Sequence, residues 1–325
     1  MRACSAMSIT LRPATPDDLP FRVALHNALI PEFPTTLAEV SRHDAGRRAD
    51  FAFGRWIAEE GGRPLGQGLY THQEWMYHPQ KFFVDVKVRP EAQGRGVGQR
   101  LWAHLESEVR ALGAQKLFAS VREDHGRGVR FLQERGFGVE QREREAALTL
   151  AQAPLGGLDA ALERVRAQGY TLSTFAGFAD PDRERKLYAF DEAASRDVPR
   201  PNEEMYVFPT LERYWQHLNS NPDRDDSLWF VALKDGELVG LSQLNPVKAR
   251  PEMLGTGFTA VARAHRRRGL ALALKLTALS EARRRGYLQV RTSNDDTNAP
   301  MIAINTALGF QEEPAWLWMT RKELD

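Results

Sequence analysis

Two short stretches hold the residue types best suited to chemistry. The first is Gln93-Gly94-Arg95-Gly96-Val97-Gly98, which lies between an apolar run ending at Val88 and an apolar-periodic segment. The second is Arg266-Arg267-Arg268-Gly269-Leu270-Ala271, which follows Val261 in the same way. A turn from a strand into a helix exposes backbone N–H groups that have no intrahelical partner. Together with the helix dipole they form an anion site, most naturally for phosphate. Glycine lets the backbone close on a diphosphate without a Cβ in the way. A nucleotide P-loop needs Lys-Ser/Thr after its last glycine, whereas Gly98 is followed by Gln99-Arg100. A dinucleotide fingerprint needs G-x-G-x-x-G and an acid about twenty residues on; here the glycines alternate and no acid closes the next strand. The form that fits is Gln/Arg-x-x-Gly-x-Gly/Ala after an apolar strand.

The two stretches belong to a longer repeat. Shifting the sequence by 173 positions lays 83–137 on 256–310 without a gap, and eleven of these 55 positions are identical. Gly96 meets Gly269, Gly113 meets Gly286, and Gly136-Phe137 meets Gly309-Phe310. Upstream, Trp56 falls on Trp229, and the register slips by one at the next turn. Two related domains are the economical explanation, and the 325-residue length agrees, at roughly 150 residues per domain. We expect domains over 8–150 and 170–325, joined by a linker helix over 151–169.

The elements that must position the two stretches read similarly in both copies. Ser8–Ala14 reads as a strand followed by a helix opening at Asp17 and Asp18. Strand–turn–strand patterns surround Gly61-Gly62 and Asp235-Gly236, the latter a strong hairpin signal. Phe82–Val88 and Phe258–Val261 read as short strands. Leu101, Leu105, Val109 and Leu112 mark one face of the helix that follows the first. In the second copy Leu270, Leu272, Leu274 and Leu276 alternate with period two, but strong helix formers and segment length favour a helix. The order predicts an α/β class with a mixed sheet in each domain.

At these residues the sequence resembles the GNAT acetyltransferase superfamily, whose loop of this form holds the pyrophosphate of coenzyme A. The order of elements and the closing "ERGF" and "NTALGF" are similar too, and the tandem arrangement resembles that of mycothiol synthases. The resemblance implies two GNAT-like domains and acetyl-CoA as co-substrate. It assigns Val88, Gln93, Gly94, Arg95, Gly96, Val97 and Gly98 to the donor in the first copy. In the second it assigns Val261, Arg266, Arg267, Arg268, Gly269, Leu270 and Ala271, with Asn294 and Asn298 beside them.

It also implies direct attack of a substrate amine on the thioester, with a backbone N–H near the end of the fourth strand polarising the carbonyl. A base takes the amine proton, and an acid, often a tyrosine four residues before the final Gly-Phe, protonates the thiolate. Here that position holds Leu132 and Asn305, so the sequence departs from the pattern. Asn305 can donate a hydrogen bond but not readily a proton. The polar set "SNDDTN", with Asn294 and Asn298, favours the second domain as the catalytic one; His125 stands where Asn298 does. Asp85 is the best base in the first copy, and Phe258 replaces it in the second. Glu74, Glu237 and Glu252 could act through water.

Other features carry less. His72 and His78 flank Glu74 six residues apart without a cysteine pair, and we expect no metal site there. "MYVF" (205–208), with Pro199, Pro201 and Pro209, falls where cleft-lining loops would be. The formal net charge of +1 gives no global field toward nucleic acid or an anionic membrane. The basic runs His265–Gly269 and Arg283–Arg285 are far apart along one helix. One cysteine, Cys4, excludes an internal disulfide, and no signal-peptide or membrane-length apolar run is present, so a cytoplasmic location is expected. The expected protein is an N-acetyltransferase, monomeric or homodimeric, acting on a small-molecule amine. The alternative is a non-catalytic or half-degenerate acyl-CoA-binding protein.

Overall fold

The computed structural model describes residues 8–74, 77–198 and 207–322. Two units divide the described residues, one holding 8–74, 77–140 and 317–322, the other holding 141–198 and 207–316. Residues 141–150, expected with the first domain, therefore lie in the second unit, and 317–322, expected with the second, lie in the first. Strand patterning reveals that a closing segment is a strand, but not which sheet it completes.

The first unit runs β1 (Thr10–Pro13), α1 (Leu19–Leu29), α2 (Leu37–Ala45), β2 (Phe53–Glu60), β3 (Arg63–Thr71), β4 (Lys81–Val88), α3 (Val97–Ala111), β5 (Lys116–Arg122) and α4 (Gly126–Gln133). The strands lie in the order β1-β2-β3-β4-β5, with 317–322 next to β5. β1–β2, β2–β3 and β3–β4 are antiparallel, and β4–β5 is parallel. The β2–β3 hairpin turns at Gly61 and Gly62, both with positive φ (56° and 79°), as a tight primed turn requires. α2 opens with a capping box in which Thr36 and Glu39 satisfy each other's backbone amides. α3 buries Val97, Leu101, Leu105 and Val109 against β3 and β4. Gly68 makes that approach possible, because a Cβ there would lie 3.0 Å from Leu105 Cδ1. Leu112 does not continue the buried face; the helix ends before it and it is exposed.

The second unit takes in 141–149 of β6 (Gly138–Thr149), then α5 (Leu158–Ala167), β7 (Thr171–Thr174), α6 (Arg183–Ser195), α7 (Leu211–Asn219), β8 (Trp229–Lys234), β9 (Glu237–Pro246), β10 (Met253–Val261), α8 (Leu270–Arg284), β11 (Gln289–Asp295), α9 (Ala299–Ala307) and the start of β12 (Gln311–Lys322). Its strand order is β6-β11-β10-β9-β8-β7. The period-two leucines of α8 do form a helix. They are buried on more than one side because α5 packs on the flank away from the sheet, so Leu270, Leu274, Leu276 and Leu279 all sit in one core. No described helix is long and apolar enough to cross a membrane.

The first unit's opening is pinned by charge. Arg12 grips buried Asp18 with both terminal nitrogens (2.8 and 2.7 Å), and its Nε reaches Glu59 at 2.9 Å. The Arg12 hydrogen bonds hold the Asp18 carboxyl down to about 2. A carboxylate whose folded pKa is depressed stabilises the fold above its unfolded pKa near 3.8 and loses that contribution as pH falls toward 2. We expect Asp18→Asn to cost about 2 kcal/mol at neutral pH, a loss that shrinks between pH 4 and 2. Urea unfolding of both proteins across that range checks it, and a pH-independent difference would contradict it.

Candidate functional site

The repeat places the same corner at the start of α3 and of α8. Gly96 (φ 82°) precedes α3 and Gly269 (φ 88°) precedes α8, both left-handed. Two residues earlier, Gly94 (φ 78°) is matched by Arg267 (φ 62°), so the second unit holds the same backbone at a position that disfavours a side chain. The amides of Arg95–Gly98 and Arg268–Ala271 donate to no group among the described residues. At Gly96 a Cβ would meet nothing within 4 Å, which leaves the first corner open.

Gln93 and Arg266 do equivalent work. Gln93 Nε2 donates to Val88 O at 3.1 Å and Arg266 Nε to Val261 O at 2.9 Å, each tying its loop to the end of the preceding strand. The rest of the Arg266 guanidinium pairs with Asp197, as does Arg263. Those pairs, Arg263 first, hold the Asp197 carboxyl down to about 2. Arg95 pairs with Glu60 at 2.7 Å. Arg267 and Arg268 have no ion-pair partner among the described residues, and Gln168 donates to Arg268 O at 3.2 Å. In the second basic run Arg284 and Arg285 both pair with Glu281.

Beside each corner two parallel strands part. β4 pairs with β5 only from Lys81 to Phe83, and β10 with β11 only from Met253 to Gly255. The forks differ in lining. In the first unit Phe83 meets Phe118 and Trp318, with ring centroids 6.5 and 6.4 Å away. In the second, Thr256 Oγ1 donates to Thr292 Oγ1 at 2.8 Å. The strands leading to the forks differ as well. β4 keeps an unbroken register with β3 from Phe83 to Val88, whereas β10 slips against β9 between Thr256 and Thr259. Within that bulge the Phe258 amide donates to Gln243 Oε1 at 2.9 Å. Gly257 must be glycine, because a Cβ would lie 2.7 Å from Asn245 Nδ2 and 2.8 Å from Gln243 Oε1.

Asn305 Nδ2 donates to Asn294 Oδ1 at 2.6 Å, so the structure brings these two together. Asn305 is buried, and its Oδ1 has no hydrogen-bond partner among the described residues. Asn298 is instead engaged as the cap of α9, accepting from Met301 N at 3.4 Å. Asp85 lies on β4 in an ion pair with Lys87 at 2.5 Å. His26 is nearby, its pKa lowered by burial and then by Lys87, with Nε2 2.8 Å from Phe33 O. Leu132 is a core residue. Glu237 pairs with Lys186 at 2.9 Å and Glu252 with Arg250 at 3.0 Å. Phe258 packs beside an aromatic core containing Trp215 and Trp229. In that region burial pushes Asp191 up to about 7, and Tyr214 donates to it at 2.5 Å.

His72 is buried, stacks on Phe82, and its Nδ1 takes the Ala52 amide at 3.2 Å. The segment 199–206, with Pro199, Pro201, Met205 and Tyr206, lies outside the described residues. Sequence reasoning missed Gln243, Asn245, Thr256 and Thr292. The available signal was Gly255-Thr256-Gly257, since two glycines inside a strand mark a bulge or close backbone approach.

A forked parallel strand pair beside a corner of free amides, present in both units, defines an acyltransferase fold. The chain belongs to the acetyltransferase (GNAT) family, whose profile matches residues 22–137 and again 187–310. The fold is similar to that of a tandem GNAT protein from the clavulanic acid biosynthesis pathway, at TM-score 0.77 and 24% identity over 97% of this chain and 98% of that one. It is also similar to a GCN5-related N-acetyltransferase from Sphaerobacter thermophilus, at TM-score 0.71 and 21% identity over 97% and 95%. A search among curated proteins returns no match.

The corners generate a paired expectation. Gly96→Asp and Gly269→Asp should each abolish coenzyme A binding at their own corner, through like charge and bulk. Arg266→Gln should leave binding at the second corner intact, because Gln93 already performs that tie, while Arg266→Ala should weaken it. Titration calorimetry of coenzyme A checks all four, and unchanged affinity in both aspartate variants would refute the assignment.

Proposed function

We propose that the protein is an N-acetyltransferase moving an acetyl group from acetyl-CoA to an amine of a small molecule, with catalysis in the second unit. The observation that carries this reading is the Thr256–Thr259 bulge of β10, beside the fork and one strand away from the Asn294–Asn305 pair. β4 has no equivalent register slip over Phe83–Val88. A bulge turns backbone amides away from the ladder; in this reading the Phe258 amide exchanges Gln243 Oε1 for the thioester carbonyl, where negative charge develops.

In this reading the amides of Arg268, Gly269, Leu270 and Ala271 hold the donor's diphosphate. Each amide bond to a phosphate oxygen is charge-assisted and contributes roughly 1.5–3 kcal/mol. The amine nitrogen attacks the carbonyl carbon, the C–S bond breaks, the nitrogen loses a proton and the departing sulfur gains one. Asn305 donates a hydrogen bond near the sulfur while water delivers the proton. The first unit binds donor at Arg95–Gly98, and Asp85 is the base there should that unit also turn over. The single cysteine, Cys4, accords with a cytoplasmic site of action.

Thiol release from acetyl-CoA over a panel of small amines tests the assignment. Gly269→Asp should remove all turnover and Gly96→Asp should spare it, while Asp85→Asn leaves the rate within about twofold because its loss touches only the first unit. Turnover surviving Gly269→Asp and vanishing in Gly96→Asp would move catalysis to the first unit. Donor binding at both corners without turnover on any amine would instead make the protein an acyl-CoA-binding protein.

A further inference from the structure

We propose that α5 is part of the second unit's donor site and that Arg164 is the phosphate-binding side chain it supplies, a proposal that rests on reading the Gly269 corner as the diphosphate site. α5 lies outside both family-matched segments, so the family pattern assigns it no role. Its place between the repeats makes it a linker by sequence. The structure instead packs it on α8, where Ala161 and Val165 share one core with Leu270, Leu274 and Leu279.

Three contacts bring this segment to the loop that carries the corner. Gln168, the C-cap of α5, donates through Nε2 to Arg268 O at 3.2 Å. Tyr170 Oη lies 2.9 Å from His265 Nδ1. Arg164 runs beside the corner itself, its Cδ 3.6 Å from where a Cβ on Gly269 would stand. The equivalent point at Gly96 meets nothing within 4 Å, so the first corner has no such neighbour. Arg164 is exposed, and its guanidinium has no ion pair or hydrogen-bond acceptor among the described residues. It is therefore free to bond an anion held by the adjacent amides, and such charge-assisted bonds are the strong ones.

The charges around the two corners differ in the same sense. In the first unit Glu60, at the end of β2, pairs with Arg95 at 2.7 Å. The matching hairpin position in the second unit holds Lys234, at the end of β8, whose Nζ donates to Gln168 O at 2.8 Å. Arg268, the counterpart of Arg95, thus meets a cation-bearing hairpin instead of an acid. Asp197 is shared by Arg263 and Arg266 and cancels only one of them. The acids of α5, Asp159 and Glu163, form no ion pair with these arginines. Like charges gathered beside free amides repel one another until a polyanion arrives, which makes a diphosphate the fitting ligand.

The full chain carrying Gly96→Asp, whose first corner is occluded, reports on the second corner alone when coenzyme A is titrated calorimetrically. In that background Arg164→Ala should weaken coenzyme A about tenfold and Arg164→Glu still more. Arg164→Lys should stay within about threefold, because an ammonium binds phosphate as a point charge. Losing the cation should also flatten the dependence of affinity on KCl concentration, which a packing role for α5 would leave unchanged. In the Gly269→Asp background, where only the first corner binds, the same substitutions should have no effect. Unaltered affinity and salt dependence in both Arg164→Ala and Arg164→Glu would overturn this proposal and leave the donor reading standing. Failure of the Gly96→Asp protein to bind coenzyme A at all would overturn both.

Discussion

A helix cannot satisfy its own first amides, and the rest of this structure is arranged around where those amides point. At Gly96 and Gly269 the chain enters a long helix after a short loop from a strand end, through a left-handed residue. No cap side chain occupies either N-terminus. Capping would give back a stabilisation of about 1 kcal/mol per helix. Leaving it out preserves a concave row of donors whose natural partner is an anion. The ties from Gln93 and Arg266 to the preceding strands fix the loop without consuming those donors. Arg267 in the left-handed region extends the same logic, since the second unit tolerates backbone strain to keep the corner's shape.

The two units share that corner but differ at the fork. Phe83, Phe118 and Trp318 gather around the first, while hydroxyls and amides of Thr256, Thr292, Asn294 and Asn305 surround the second. The phenyl rings of Phe83 and Phe118 exclude water and carry no hydrogen-bonding group. The polar set, with a buried and unpartnered Asn305 Oδ1, retains hydrogen-bonding capacity for a ligand. The bulge in β10 adds to the asymmetry. Both units keep the corner of free amides, and the second adds polar groups at its fork.

Much of this was legible in the sequence because glycine positions are constrained by backbone geometry. The 173-residue offset matched Gly96 with Gly269, Gly113 with Gly286 and Gly136 with Gly309, and all six have positive φ. Periodicity found α3, but for α8 it pointed toward a strand, because a helix covered by α5 on one side and the sheet on the other has no polar stripe to read. The membership of 141–149 and 317–322 was hidden, since strand patterning does not name a partner. The cluster around Asp44 was hidden for another reason: Arg22, Arg47 and Arg55 are scattered along the sequence, and only the approach of α1, α2 and β2 assembles them. Asn298 illustrates the reverse ambiguity, a residue type shared by ligand contacts and helix caps, which here caps α9.

A crystal structure with acetyl-CoA tests the central claim most directly. The account predicts diphosphate oxygens within hydrogen-bonding distance of the Arg268–Ala271 amides and the acetyl carbonyl at the Thr256–Thr259 bulge. Donor density located away from both corners, with the amides of Arg95–Gly98 and Arg268–Ala271 facing only solvent, would contradict it.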